Sequence, residues 1–207
     1  MSDDIFEGDD NSVFLKEHAT DLDLFAVSNT YKSLWKLPAR SDLHQAISLL
    51  ISKNAPYDMT KKIMKKISDT IGNRDITIQN FVMKDSKLKE WGLSNDKIQG
   101  IRKILSLPEI TAKSLCSVKE GGIYLVKAFK IFQEEDDDIF LYEDYTVRKN
   151  LGILFYRDKP LSESESRKLS QYWQGHRSQI SYFLYRLTSK GADKILEDKE
   201  LDDSDFH

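Results

Sequence analysis

The chain predicts an all-α fold of roughly nine to eleven short helices, and three observations carry that prediction. Apolar residues recur at helical rather than alternating spacing along most of the 207 residues. Pro38, Pro56, Gly72-Asn73, Gly92, Pro108, Pro160 and Gln174-Gly175 punctuate the sequence at short intervals. No stretch alternates convincingly over strand length, and no internal repeat is visible. Short helices joined by tight turns, without a long amphipathic repeat, argue against a simple four-helix bundle.

Taken in order, residues 1–21 read as an acidic tail with a short helix around Val13–Glu17. Leu22, Leu24, Phe25, Val27, Tyr31, Leu34 and Trp35 then recur at helical spacing until Pro38. Ser41 is placed to cap the next helix, whose Ala46, Ile47, Leu49, Leu50 and Ile51 make it apolar on most sides and therefore buried. Lys53-Asn54-Ala55-Pro56 ends it. Asp58 or Thr60 starts a basic helix with Ile63, Ile67 and Ile71 on one face, stopped by Gly72-Asn73. Short helices are expected at Ile78–Val82 and Ser86–Trp91, then a longer one from Asn95 to Leu105 capped by Ser94. Leu115 and Val118 lead into the turn Gly121-Gly122, and a helix with Tyr124, Leu125, Ala128, Phe129 and Phe132 follows it. Asp144 opens the next helix. Ser162 and Glu165 have the spacing of a capping box, a helix with Leu169 and Trp173 follows, and the last strong helix runs from His176 to about Ser189.

Composition narrows the function classes. Apolar residues at 40% and charged residues at 31% describe a globular chain. No apolar run approaches the ~18 residues of a membrane span, and the opening MSDDIFEGDD lacks the basic-then-apolar pattern of a signal peptide. One cysteine, Cys116, excludes an internal disulfide and a cysteine-rich metal site, and its helical apolar surroundings suggest a small core residue. His18, His44, His176 and His207 are scattered without ligand spacing, so no metal site is expected. The net charge of −3 hides a division: residues 1–25 carry eight acids and one lysine, residues 191–207 seven acids and two lysines, and the middle balances at +9. Between Lys53 and Lys103 twelve basic residues face six acidic ones. A basic body with acidic ends suits a nucleic-acid binder, although lysine-rich solvated helix faces produce the same count.

The stretch Ser117–Leu151 concentrates the chemistry: a Gly-Gly turn, a helix, an acidic loop, and Asp144 before another helix. On its own it also reads as a helical hairpin with solvated acids. Five segments, taken together, carry more. LHQAISLLISKNAPYDMTKKI, WGLSNDKIQGIRKIL, LCSVKEGGIYLVKAF, IFLYEDYTVRKNL and WQGHRSQISYFLYRL occur in the order of one family. Over about residues 23–188 the chain resembles the helix-hairpin-helix DNA glycosylases, most closely the 3-methyladenine DNA glycosylase II branch, without that branch's N-terminal β-domain. Tyr124 and Asp144 are twenty residues apart, which fits the branch's spacing between hairpin aromatic and catalytic acid.

The resemblance implies two helical subdomains with a DNA-binding cleft between them: residues 22–40 with 145–196, and residues 41–144 with the hairpin, between acidic tails at 1–21 and 197–207. It implies a monomeric, monofunctional glycosylase that hydrolyses the N-glycosidic bond of damaged bases, alkylated purines in particular, in double-stranded DNA. The setting is base excision repair in the cytoplasm (nucleoid) or nucleus, away from membranes. Asp144 takes the role of the carboxylate that stabilises an oxocarbenium-like sugar; a structural helix cap is the alternative. Tyr124 and Tyr185 take the base pocket, where electron-rich rings favour cationic purines, though both are also ordinary core aromatics. Strand-cutting relatives carry a Schiff-base lysine where this chain has Tyr124. Lys53, Asn54, Lys119, Gly121, Gly122, Lys127, Arg177 and Ser178 are implied to contact DNA, with Asn54 at the tip that fills the gap left by a flipped base. Two departures stand out. Glu120 replaces the first hairpin glycine and sets a carboxylate near a phosphate, which counts against the monovalent cation such hairpins hold. Lys53-Asn54 replaces the paired glutamines of the wedge loop. No other cofactor is implied. A non-catalytic DNA-structure or lesion-binding protein on the same fold is the alternative reading.

Overall fold

The structure, a computed structural model, describes residues 41–154 and 159–186, all helix, turn and loop with no strand among them. Expectations for the tails, for helices before residue 41 and for the end of the last helix fall outside the described residues. Contacts divide the described residues into two compact units, 41–135 and 136–186.

In the first unit, α1 (Asp42–Ser52) is the central element. Ser41 caps it, its hydroxyl accepting from the His44 N–H at 3.3 Å. Ala46, Ile47, Leu50 and Ile51 are fully buried, each aliphatic side chain contributing roughly 1.5–3 kcal/mol of hydrophobic stabilisation. Helices α2 (Tyr57–Thr70), α4 (Asn95–Ser106) and α6 (Gly122–Gln133) pack on it. Helix α2 starts earlier than its sequence suggests: Pro56 occupies the cap position and Tyr57 the first turn, a place where the missing proline N–H costs nothing. Its apolar face, Ile63 and Ile67, is buried, and the left-handed Gly72 and Asn73 (φ +74° and +57°) close it.

The helix expected at Ile78–Val82 is absent. Thr77 and Asn80 bond each other's backbone N–H through their side chains, at 2.8 and 3.2 Å, and the Asn80 amide donates to the Asp75 carbonyl. These local bonds compete with the helical ladder and leave a turn, from which Ile78 and Val82 project into solvent. Helix α3 (Asp85–Glu90) follows and packs on α4, with Arg102 of α4 reaching Asp85 at 2.7 Å and the Met83 carbonyl. Ser94 caps α4 as expected. Helix α5 (Ala112–Leu115) is a single turn fixed by a Thr111–Ser114 capping box. Cys116, expected in the core, is exposed at the end of this turn, because Leu115 and Val118 take the two inward positions.

In the second unit, α7 (Tyr145–Leu154) packs between α8 (Glu163–Leu169) and α9 (Arg177–Arg186), and a 3₁₀ turn (Ser170–Trp173) links the latter two. The Ser162–Glu165 capping box forms as its spacing predicts. Trp173 is fully buried, with its ring centroid 5.4 Å from that of Phe140. Asn150 of α7 donates to the Leu184 carbonyl of α9 at 2.7 Å, and Arg148 donates to the Leu161 carbonyl at 2.8 Å. Among the described residues no helix is long and apolar enough to cross a membrane.

Candidate functional site

The acid singled out in the sequence, Asp144, lies where α7 begins. It is 0% exposed, and its Oδ1 accepts from the Val147 N–H at 3.0 Å. Its carbonyl accepts from Arg148, the first full turn of the helix. The open N–H groups and dipole of a helix start favour an ionised carboxylate.

The loop delivering Asp144 is tied down by α9, forty residues further on. Ser178 is 0% exposed; its hydroxyl accepts from the Ile139 N–H at 2.9 Å and donates to the Asp136 carbonyl at 2.5 Å. One turn later the Ser181 hydroxyl accepts from the Leu141 N–H at 3.0 Å. Asp138 accepts from the Gly175 N–H at 2.8 Å and lies 3.5 Å from the Arg177 guanidinium, which also donates to the Ser170 carbonyl. Arg167 covers the Tyr142 ring at 4.1 Å. Ser178 is therefore an internal fastener rather than a surface group for DNA, and Arg177 is half-buried and engaged in the same framework. The acidic run is correspondingly less solvated than its composition suggests. Tyr185 is half-buried on α9.

The hairpin belongs to the other unit. Its turn is tight: the N–H groups of both Gly121 and Gly122 donate to the Val118 carbonyl, at 3.0 and 3.2 Å. These two donors, expected to face a phosphate, are committed within the turn. Ile123, the next residue and 55% exposed, has an N–H with no acceptor among the described residues. Gly122 has φ +57°, a left-handed conformation in which a Cβ would be strained.

Glu120 does not face outward. Its Cβ lies against Gly100 of α4, where an added methyl would sit 3.1 Å from it, so the glycine permits the close approach. Both carboxylate oxygens meet the Lys103 ammonium, at 3.1 and 3.3 Å. A hydrogen bond from its own backbone N–H has the largest effect on its carboxyl and burial, the next largest, opposes it; with the bond to Lys103 and the charges of Lys103 and Lys119 the carboxyl is held below the usual range.

Lys53, at the end of α1, donates from Nζ to the Glu120 carbonyl at 2.8 Å. The same nitrogen lies 3.7 Å from where a Cβ on Gly122 would stand. The two departures from the family pattern, 67 residues apart, are thus in contact. Asn54 is exposed with φ +53°, an αL position that asparagine tolerates at a helix end. Tyr124 is 3% exposed, its hydroxyl 2.8 Å from that of Ser52, which donates in turn to the Leu49 carbonyl. Lys119 is exposed and Lys127 half-buried. Lys103 and Ser52 were not singled out by sequence reasoning; neither has a neighbour in sequence that signals its partner. Among the described residues no group of three metal-ligating side chains gathers.

By sequence the chain matches no protein-family profile and no curated protein. By structure it matches S. pombe 3-methyladenine DNA glycosylase (Mag1) in complex with abasic DNA, at TM-score 0.61 and 20% identity, over 86% of this chain and 98% of that one. The chain has the helical fold of a 3-methyladenine DNA glycosylase. A weaker likeness, TM-score 0.48 at 12% identity over 78% of this chain and 84% of the other, is to a Bacillus halodurans DNA-3-methyladenine glycosidase. The glycosylase-type fold implied by the hairpin and Asp144 segments thus stands.

Proposed function

We propose that the protein is a monofunctional DNA glycosylase that hydrolyses the N-glycosidic bond of damaged bases, alkylated purines foremost, in double-stranded DNA. The observation that carries this is Asp144: a fully buried carboxylate fixed at the start of a helix, in a chain with this fold. Loss of a base leaves positive charge on the sugar, and an oriented carboxylate in a water-poor site stabilises that charge more than bulk water does. Asp144 also serves as the acceptor that positions the attacking water. The target base must leave the stack to be reached, and Asn54 on its exposed turn fills the vacated space. Position 124 holds a phenol rather than an amine, so no Schiff base forms there and the product is an intact abasic strand. Incubating the protein with methylated duplex DNA and scoring abasic sites tests the proposal; binding without base release would overturn the enzymatic reading.

One observation favours the second reading, a DNA-structure or lesion binder without catalysis. Tyr124 and Asp144 are almost wholly enclosed, and the Tyr124 hydroxyl is bonded within its own unit. That reading expects salt-dependent DNA binding that survives replacement of Asp144.

A further inference from the structure

Hairpins of the family this chain resembles hold a monovalent cation on backbone carbonyls, and this hairpin is poorly built to do so. Such an ion exchanges its hydration shell for several carbonyl oxygens. Here the Glu120 carbonyl already accepts from the Lys53 ammonium at 2.8 Å, and the Val118 carbonyl already accepts two N–H groups. A second cation would also stand close to the charge on Lys53, which repels it.

We propose that Lys53 is the hairpin's own cation: its ammonium supplies, by covalent attachment, the positive charge that a bound alkali ion would otherwise bring to a DNA phosphate. The inference rests on the DNA-binding reading above. Three observations argue for it. Nζ is held at the turn, on the Glu120 carbonyl and 3.7 Å from where a Cβ on the left-handed Gly122 would stand. One of its three N–H donors is used, on the Glu120 carbonyl, which leaves two for an anion. The Glu120 carboxylate is paired with Lys103, not with Lys53. An ammonium serves here where an amide does not, because it brings charge as well as a donor. Since Lys53 immediately precedes Asn54, the same side chain ties the Asn54 loop to the hairpin turn.

The test is binding of a duplex carrying a stable abasic analogue, followed by fluorescence anisotropy in potassium, sodium and tetramethylammonium chloride at one concentration. The last ion is too large to enter a ring of carbonyls. Wild-type affinity is expected to agree within about twofold across the three salts, since the remaining salt effect is counterion release. Lys53→Met is expected to bind more weakly, with the slope of log affinity against log salt reduced by about 0.9, one phosphate contact. With the carbonyl opened, it is also expected to prefer potassium or sodium over tetramethylammonium. Lys53→Gln, which keeps a donor and loses the charge, should behave like Lys53→Met. Wild-type binding about tenfold tighter in potassium or sodium than in tetramethylammonium would overturn the inference and leave the glycosylase reading standing. So would a Lys53→Met protein of unchanged affinity and slope. No DNA binding in any of the salts would overturn both.

Discussion

Asp144→Asn separates chemistry from folding, because asparagine caps a helix about as well as aspartate. The 3.0 Å acceptor for the Val147 N–H is an oxygen that an amide also provides, and the exchange adds almost no volume to a fully buried site. Replacing a buried charge with a neutral amide removes a desolvation cost. Unfolding free energy is therefore expected to stay within about 1 kcal/mol of wild type. On the proposed mechanism the reaction loses the carboxylate opposite the developing positive charge; preorganised electrostatic groups of this kind contribute about 2.7–4 kcal/mol, or about 10²–10³ in rate. Asp144→Ala serves as control, since it loses the cap as well and costs about 1 kcal/mol more in stability. Base release is read under single turnover on methylated duplex DNA, by alkaline cleavage at abasic sites, beside urea unfolding of each protein. Full activity in Asp144→Asn, with only the alanine variant impaired through its stability, would falsify the catalytic role and leave Asp144 a structural cap.

Three further outcomes follow from the same geometry. Borohydride added during base release should trap no protein–DNA adduct, because position 124 has no amine; a trapped adduct would remove the monofunctional assignment. Trp173→Ala should destabilise the protein by about 3–5 kcal/mol, the cost of emptying a fully buried indole site, measured by chemical denaturation; a loss under 1 kcal/mol would show that its packing against Phe140 is loose. Glu120→Gln should cost at most about 1 kcal/mol at neutral pH, since the Lys103 pair is partly exposed. Because the Glu120 carboxyl is held below its ordinary 4.5, chiefly by its own backbone N–H and then by Lys103, the stabilisation its ionised form brings is present above that value and is lost as pH falls through the lower folded value. Urea midpoints of wild type and variant should thus converge in strong acid, and divergence there would contradict the assignment.

The legible parts of this chain are those whose partners lie within a few residues. Ser41, Ser94, Ser162 with Glu165, and Asp144 all announce helix starts, because a capping side chain reaches only three residues ahead. Buried helix α1 is read from its apolar density. Cys116 and Ile78–Val82 mislead for a related reason: periodicity assumes the ladder continues, whereas a one-turn helix and a Thr77–Asn80 side-chain turn both interrupt it. The contact between Lys53 and Glu120 spans 67 residues and leaves no trace in either local pattern, so each looked like an isolated departure. Ser178 was assigned by resemblance to the DNA side; only the structure shows its hydroxyl committed to the loop.

That commitment has a consequence for the order of synthesis. The chain leaves the ribosome with Asp144 well ahead of α9, yet the backbone that aims Asp144 is fastened by Ser178 and Ser181. Everything the hairpin unit contributes between residues 41 and 135 can pack while the acid's loop still lacks its anchor. The fastening of this loop therefore comes late, with the final described helix. A chain released before Ser178 would have a finished hairpin and an unaimed acid.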